Sequence, residues 1–298
     1  MAKRRKPLAR RLKRLGDDSL ATVLTGALQI VSKLPLDRAL DSLDAIGRRL
    51  GPLSGRHRLV LDNLAAAMPE LSGTERERIG RAMWGHQARL LVETAMLDRL
   101  DDGPDGNDRI TLRVADEAQG ILRGDGPIVF FTAHTGCFEL LPRLAPRVGR
   151  NILTLFRPPN NRKLGETLLR RRAEGGLRFV ASRHGAARQL MAELDAGGAV
   201  GVLVDQKFRR GPLVPFFGRP APTNDLVVKL AERPGVSVLP ARCVRLPGNR
   251  YRVDIEPPMD LASPGADPKP ALCRVNGKVE AWVREHPEQW MWFHRRWG

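Results

Sequence analysis

The sequence predicts an α/β fold: a mixed, mostly parallel sheet flanked by helices, preceded by a helical N-terminal layer. Residues from about 17 to 100 place apolar side chains at helical intervals, as in TERERIGRAMWGHQARLLVETAMLDRL. Beyond the Gly- and Asp-rich break DDGPDGND at 101–108, short strand-like runs alternate with helical ones. The runs at 127–133 and 199–204 are apolar without alternation, as expected of strands covered on both faces.

The elements follow in order. The first fourteen residues hold eight Lys or Arg and no acid, so 1–16 is read as a basic arm. Ser19 to Ser32 carries no charge, but its fourteen residues fall short of the ~18 that a spanning helix requires. No convincing cleavage signal follows it. The arm and this stretch are expected to rest on an anionic bilayer rather than cross it, a solvated basic tail being the alternative reading. Residues 17–105 form the membrane-associated helical region, with Thr74 and Glu77 in capping-box spacing. Residues 106–298 form the core, continuous with the layer packed on it.

In the core, RITLRV leads to the helical ADEAQGILRG, and PIVFFTA leads into AHTGCFELLP. NILTLF precedes NNRKLGETLLRRRAEG, LRFVAS precedes AARQLMAELDAG, and AVGVLVDQ precedes a loop and NDLVVKLAER. VSVLPARCVRL and RYRVDIEPP read as a hairpin around PGN, and a terminal helix closes the chain, for six or seven strands in all. Pro142 and Pro146 fall where a helix should follow the AHTGCFELLP segment, so that helix is expected to be short or kinked.

Composition narrows the function. A net charge of +17 and a pI near 11.0 favour an anionic partner. Aromatics at 5%, with a single tyrosine, make a poor stacking platform for single-stranded nucleic acid. Cys137, Cys243 and Cys273 lie far apart, without the spacing of a disulfide framework or a zinc site. No nucleophile elbow, phosphate-binding P-loop or complete dinucleotide fingerprint occurs.

What remains is His134 at the end of an apolar strand, with Glu139 five residues on. Gly136 between them permits a tight exit and a close approach to the backbone. Along an ideal helix the two side chains would diverge, but across a strand–turn–helix junction they can converge. Glu139 would then hold one imidazole nitrogen and leave the other to take a proton from a hydroxyl. Taken alone, an H-x-x-x-x-E spacing is weak, and a buried strand turning into a helix accounts for it as well. Cys137 is read as a small buried residue rather than a nucleophile.

Context strengthens the pair. AHTGCFELLP, LFRPPNN, RRRAEGG, VDQKFRRGPLVPFFGRPAPT and PEQWMWFHRRW occur in that order. Together they resemble the lipid A biosynthesis lauroyl and myristoyl acyltransferases, within the wider glycerolipid acyltransferase superfamily. The resemblance runs from about residue 56 to the end. It implies His134 as general base and Glu139 as its orienting carboxylate. It also implies Arg157 and Arg172 at an anionic headgroup or donor phosphate, and Asp205 as the acid ending a later core strand. Gln206, Phe217, Gly218 and Thr223 fall in matched blocks and join the expected substrate-binding set.

The implied reaction moves a fatty acyl chain from a thioester, on acyl carrier protein or coenzyme A, to a hydroxyl of a lipid A precursor. Such a reaction calls for no metal and no cofactor. The implied location is the cytoplasmic face of the inner membrane, peripheral or monotopic. Ten Lys or Arg against two Glu between residues 150 and 190 suit a phosphorylated glycolipid. Phosphatidylinositol mannosides or other glycolipids, acylated from acyl-CoA, remain open as acceptors. A basic nucleic-acid-binding protein is the reading outside enzymes, and no recognition motif supports it.

Overall fold

The computed structural model describes residues 33–101, 109–156, 176–262 and 265–297. Among the described residues four helices come first: α1 (Leu36–Leu50), α2 (His57–Ala67), α3 (Gly73–Ala95) and α4 (Leu97–Asp101). The capping box of α3 lies two residues earlier than expected. Ser72 Oγ accepts from the Glu75 backbone N–H at 3.2 Å, and the Glu75 carboxylate accepts from the Ser72 N–H at 2.8 Å. Ser72 wins because its extended backbone (φ −66°, ψ 162°) directs its hydroxyl to the first free amides, whereas Thr74 already lies inside the helix. Glu77 is engaged by Arg81 at 2.7 Å and His57 at 3.0 Å.

Where it is described the core alternates as expected, the helix expected over 160–175 lying outside the described residues: β1 (Ile110–Val114), α5 (Asp116–Arg123), β2 (Ile128–Thr132), α6 (Leu140–Leu144), β3 (Ile152–Phe156), β4 (Arg178–Ala181), α7 (Ala186–Asp195) and β5 (Ala199–Leu203). β6 (Leu213–Phe216), β7 (Arg219–Pro222), α8 (Leu226–Ala231), β8 (Ser237–Leu246), β9 (Arg250–Ile255) and α9 (Lys269–Glu285) follow. The main sheet has seven strands in the order β1-β9-β8-β2-β5-β3-β4, and only the β8–β9 pair is antiparallel. α6 is five residues long and passes into a 3₁₀ turn at Ala145–Val148, as its prolines require.

Both sheet faces are covered, which is why β2 carries no polar alternation. Val129 and Phe131 face a large cluster with α2, α7, α8 and α9. Ile128 and Phe130 face the opposite cluster, with Ala118 and Leu122 of α5. Beneath the N-terminal layer, Glu93 of α3 and Arg245 of β8 form a fully buried bidentate pair at 2.7 and 2.5 Å, and the Tyr251 hydroxyl donates to Glu93 at 2.9 Å. A carboxylate taken so far from water stays charged only with such partners, and here they bind the helical layer to the sheet.

The segment between β5 and α8, expected as a loop, contains a second, two-stranded sheet. Its two-residue turn, Phe217–Gly218, has φ of 51° and 66°, as a tight hairpin demands. The Phe217 ring is buried against Phe216, Trp292 and Trp297. The expected terminal helix stops at Glu285, and the chain goes on through a 3₁₀ turn at Pro287–Gln289 into an irregular packed tail with Trp290, Trp292, Arg296 and Trp297 buried.

Candidate active site

β2 and β5 are parallel neighbours with Thr132 opposite Leu203. Two residues beyond each strand end stand His134 and Asp205, carried by the shared register to the carboxyl edge of the sheet, where open α/β folds form their clefts. There the His134 imidazole Nδ1 lies 2.8 Å from Asp205 Oδ1, and the His134 backbone N–H donates to Oδ2 at 3.0 Å. Trp290 Nε1 donates to the same Oδ2 at 2.8 Å. Burial favours the neutral acid at Asp205, but the His134 charge and the hydrogen bonds from His134 and Trp290 prevail and hold its pKa down to about 2. An ionised carboxylate can only accept, so Nδ1–H donates to it, and in the neutral ring the lone pair is on Nε2, where the Gln206 amide N–H faces it at 3.1 Å.

This differs from the expected pairing, in which Glu139 steers the ring. The carboxylate at Nδ1 is Asp205, because strand register brings it opposite His134. Glu139 sits at the start of α6, buried, on the wall of the same cavity as His134. The signal for Asp205 lay in the sequence: IVFFT and AVGVL are two apolar strands, each followed at the same offset by a titratable residue.

The turn after His134 is locked from behind. Gly136 has φ 56°, its N–H donates to the Gln289 carbonyl at 3.1 Å, and an added Cβ would lie 1.8 Å from the Cys243 carbonyl oxygen. Thr135 bridges to Trp290. The Gln289 side chain in turn pairs with the backbone of Arg245, accepting from its N–H and donating to its carbonyl, both at 2.9 Å. Only glycine tolerates that φ and that proximity together. The tail therefore buttresses the turn that presents the imidazole. Cys137 is fully buried, and burial, reinforced by the Glu93 charge, pushes its thiol well above the ordinary range, so a thiolate nucleophile is disfavoured there.

His134 opens on a cavity of about 840 Å³ on the α5–α6 side of the sheet. Phe130, Leu141, Ile152, Leu155, Val253 and Ile255 make its walls greasy, while His134, Glu139, Gln206, Lys207, Asn224 and His294 supply polar groups. Gly201 of β5 lies on its wall without a side chain; a Cβ there would come within 3.1 Å of Ile152 Cγ2. The volume lies within the ~300–1,000 Å³ of sites that bury small ligands. Phe138 sets its ring edge-on to the imidazole, 4.9 Å between centroids. Gln206 Nε2 lies 3.1 Å from His134 Nε2, on the cavity side of the ring.

Of the expected substrate-binding residues, Asp205 and Gln206 thus meet His134. Phe217, Gly218 and Thr223 do not line the cavity. The first two make the β6–β7 turn, and Thr223, fully buried, accepts a hydrogen bond from Arg296 at 2.7 Å. Arg157 and Arg172 lie outside the described residues. Lys207, His294 and Phe138, none of them singled out from sequence, line the cavity because neighbouring turns fold onto it.

Residues 6–298 match the family model described as bacterial lipid A biosynthesis acyltransferase. The chain is similar to lipid A biosynthesis acyltransferase 2 of Shigella flexneri, 25% identical over 283 residues that cover 90% of this chain and 86% of the relative. It is also similar to the lipid A biosynthesis palmitoleoyltransferase of Escherichia coli, 26% identical over 268 residues, covering 84% and 83%. The lipid A biosynthesis myristoyltransferase of Escherichia coli is 26% identical over 267 residues, covering 84% and 79%.

Proposed function

The chain belongs to the bacterial lipid A biosynthesis acyltransferase family, and from that premise we propose that it moves a fatty acyl group from a thioester to a hydroxyl of a lipid A precursor, with His134 as general base. The observation that carries the reading is one imidazole whose Nδ1–H is fixed on buried Asp205 at 2.8 Å while Nε2 turns to a largely apolar cavity. Nε2 takes the acceptor hydroxyl's proton as that oxygen attacks the thioester carbon. The tetrahedral intermediate then collapses, the C–S bond breaks, and the leaving sulfur takes the proton from Nε2. Asp205 stabilises the imidazolium that forms between these steps, without needing to take the proton itself. Lys207 and the Glu139 carboxyl share the cavity wall with the ring. Lys207 is placed to favour negative charge on the oxyanion or on a lipid phosphate, and Glu139 to reinforce the transient imidazolium. The acyl chain lies along Phe130, Ile152 and Ile255.

The donor we favour is acyl carrier protein, since an acidic carrier suits a chain of net charge +17. The acceptor reaches the site from an anionic bilayer. Ile46, Leu50 and Leu53 are exposed on α1 and the turn that follows it, with exposed Arg49 and Arg56 beside them. That face continues to the cavity: Gly51 rests on Trp84, Trp84 stacks on Phe293 at 5.5 Å, and neighbouring His294 accepts from the Lys207 N–H at 3.3 Å. Phe208, exposed at the cavity rim, extends the same surface. No described helix is long and apolar enough to cross a membrane.

The test is reconstitution. Purified protein with acyl-carrier thioester and a lipid A precursor should yield the acylated lipid by mass spectrometry. His134→Ala should lower the rate by ~10²–10⁴, the usual contribution of a positioned base. A variant that keeps the full rate removes the base.

A further inference from the structure

We propose that Gln206 caps the base in the empty site and thereby steers the acyl group to lipid rather than to water. The inference rests on the acyl-transfer reading above and concerns what His134 does before an acceptor arrives.

The geometry begins with the two ring nitrogens. Asp205 and Gln206 are consecutive residues in the turn after β5, and they meet opposite sides of one imidazole: Asp205 at Nδ1, 2.8 Å, and Gln206 at Nε2, 3.1 Å. With Nδ1–H committed to an ionised carboxylate, Nε2 presents a lone pair, and the group facing it is an amide N–H donor. The lone pair that must accept a hydroxyl proton is therefore already in use.

The cap can move without its backbone moving. Asp205 on one side is fully buried and accepts three hydrogen bonds. On the other side the Lys207 N–H is held by His294 at 3.3 Å, and the Phe208 N–H by the Pro222 carbonyl at 3.1 Å. Between these anchors the Gln206 side chain is half-buried and lines the cavity, so rotation of that side chain alone uncovers Nε2.

The consequence is selectivity. With an acyl thioester bound and no acceptor, a water that donates to Nε2 could attack the thioester carbon. Its proton would pass to Nε2, the C–S bond would break, and the thiolate would take the proton back, leaving a free fatty acid and a thiol. For water to reach Nε2 it must displace the amide, and its single oxygen is the one new acceptor it brings to the freed N–H. A polyhydroxylated, phosphorylated acceptor displaces it too, but offers the freed N–H new acceptors on its own oxygens. Excluding such a side reaction is a recognised task of a closed active site, and here one side chain is placed to perform it.

The experiment measures how the acyl group partitions in the full-length protein, as free fatty acid against acylated lipid, from radiolabelled acyl-carrier thioester with lipid A precursor present. Gln206→Met keeps the length and removes the amide; Gln206→Asn keeps the amide and withdraws it by one methylene. Both should raise the ratio of free acid to acylated lipid about fivefold, which at 1.4 kcal/mol per tenfold corresponds to about 1 kcal/mol, one neutral hydrogen bond. A ratio that stays the same or falls in the folded variants overturns the cap, including the case where free acid is undetected throughout. If the unaltered protein makes no acylated lipid, the acyl-transfer reading itself fails. If transfer is intact and the partition unmoved, only the cap does.

Discussion

Asp205 lies in a place where a carboxylate would ordinarily give up its charge: it is fully buried, and only its partners keep it ionised. Its folded pKa of about 2 stands below the ordinary 3.8, so it contributes stability that is present above pH 4 and lost as pH falls toward 2. The contribution is on the order of 2 kcal/mol. Urea unfolding of the parent protein should therefore weaken across that window more than unfolding of Asp205→Asn, which has no carboxyl there to titrate; parallel pH curves would show that the charge does not stabilise the fold. At this scale the sequence was half legible. His134 stands out because an apolar strand ends on it, and Asp205 and Gln206 stand out within their block. Which carboxylate meets the ring was not readable, since Glu139 is near in the chain and Asp205 is 71 residues away, joined only by the pairing of β2 with β5. Local spacing points to Glu139, while strand register sets Asp205 at Nδ1.

Among the elements, strands were legible wherever their apolar runs are bounded by Gly, Pro or charge, and the parallel pairing followed from alternation with helices. Helix starts were less so. SGTERERI offers two acceptable boxes, Ser72 with Glu75 and Thr74 with Glu77, and spacing alone does not separate them. Ser72→Ala should cost about 1 kcal/mol, and Thr74→Ala should fall within about 0.5 kcal/mol of the parent, both by chemical denaturation. Equal losses would mean that α3 begins elsewhere. The β6–β7 hairpin was missed because its turn residues, Phe217 and Gly218, lack the usual Asn-Gly signature. Phe217 holds a positive φ because its ring is clamped among Phe216, Trp292 and Trp297 and its N–H donates to Glu280 at 2.6 Å. Tertiary packing set that turn.

Across the whole molecule, the helical layer, the tail and the sheet converge on one turn. Glu93–Arg245 joins α3 to β8, Gln289 joins β8 to the tail, and the tail joins Gly136 and Asp205. The broad charge and the α/β order were visible in the composition and rhythm of the chain, but this convergence was not, since each link spans more than forty residues. The same layer offers the exposed Ile46–Leu50–Leu53 stripe. Replacing Leu50 and Leu53 together by Glu should lower sedimentation with phosphatidylglycerol vesicles at least about tenfold, since it removes exposed apolar area that a bilayer would cover and adds repelling charge. Transfer to substrate dispersed in detergent should persist. Unchanged vesicle binding would place the contact on another face.

The most direct test of the central claim is the rate of Asp205→Asn set beside Glu139→Gln in one acyl-transfer assay, with folding verified for both. An imidazole steered by Asp205 predicts that Asp205→Asn falls by at least about 100-fold, because the amide no longer fixes the proton on Nδ1 or supports the imidazolium, and that Glu139→Gln falls less. A folded Asp205→Asn protein that transfers acyl groups at the full rate contradicts the account.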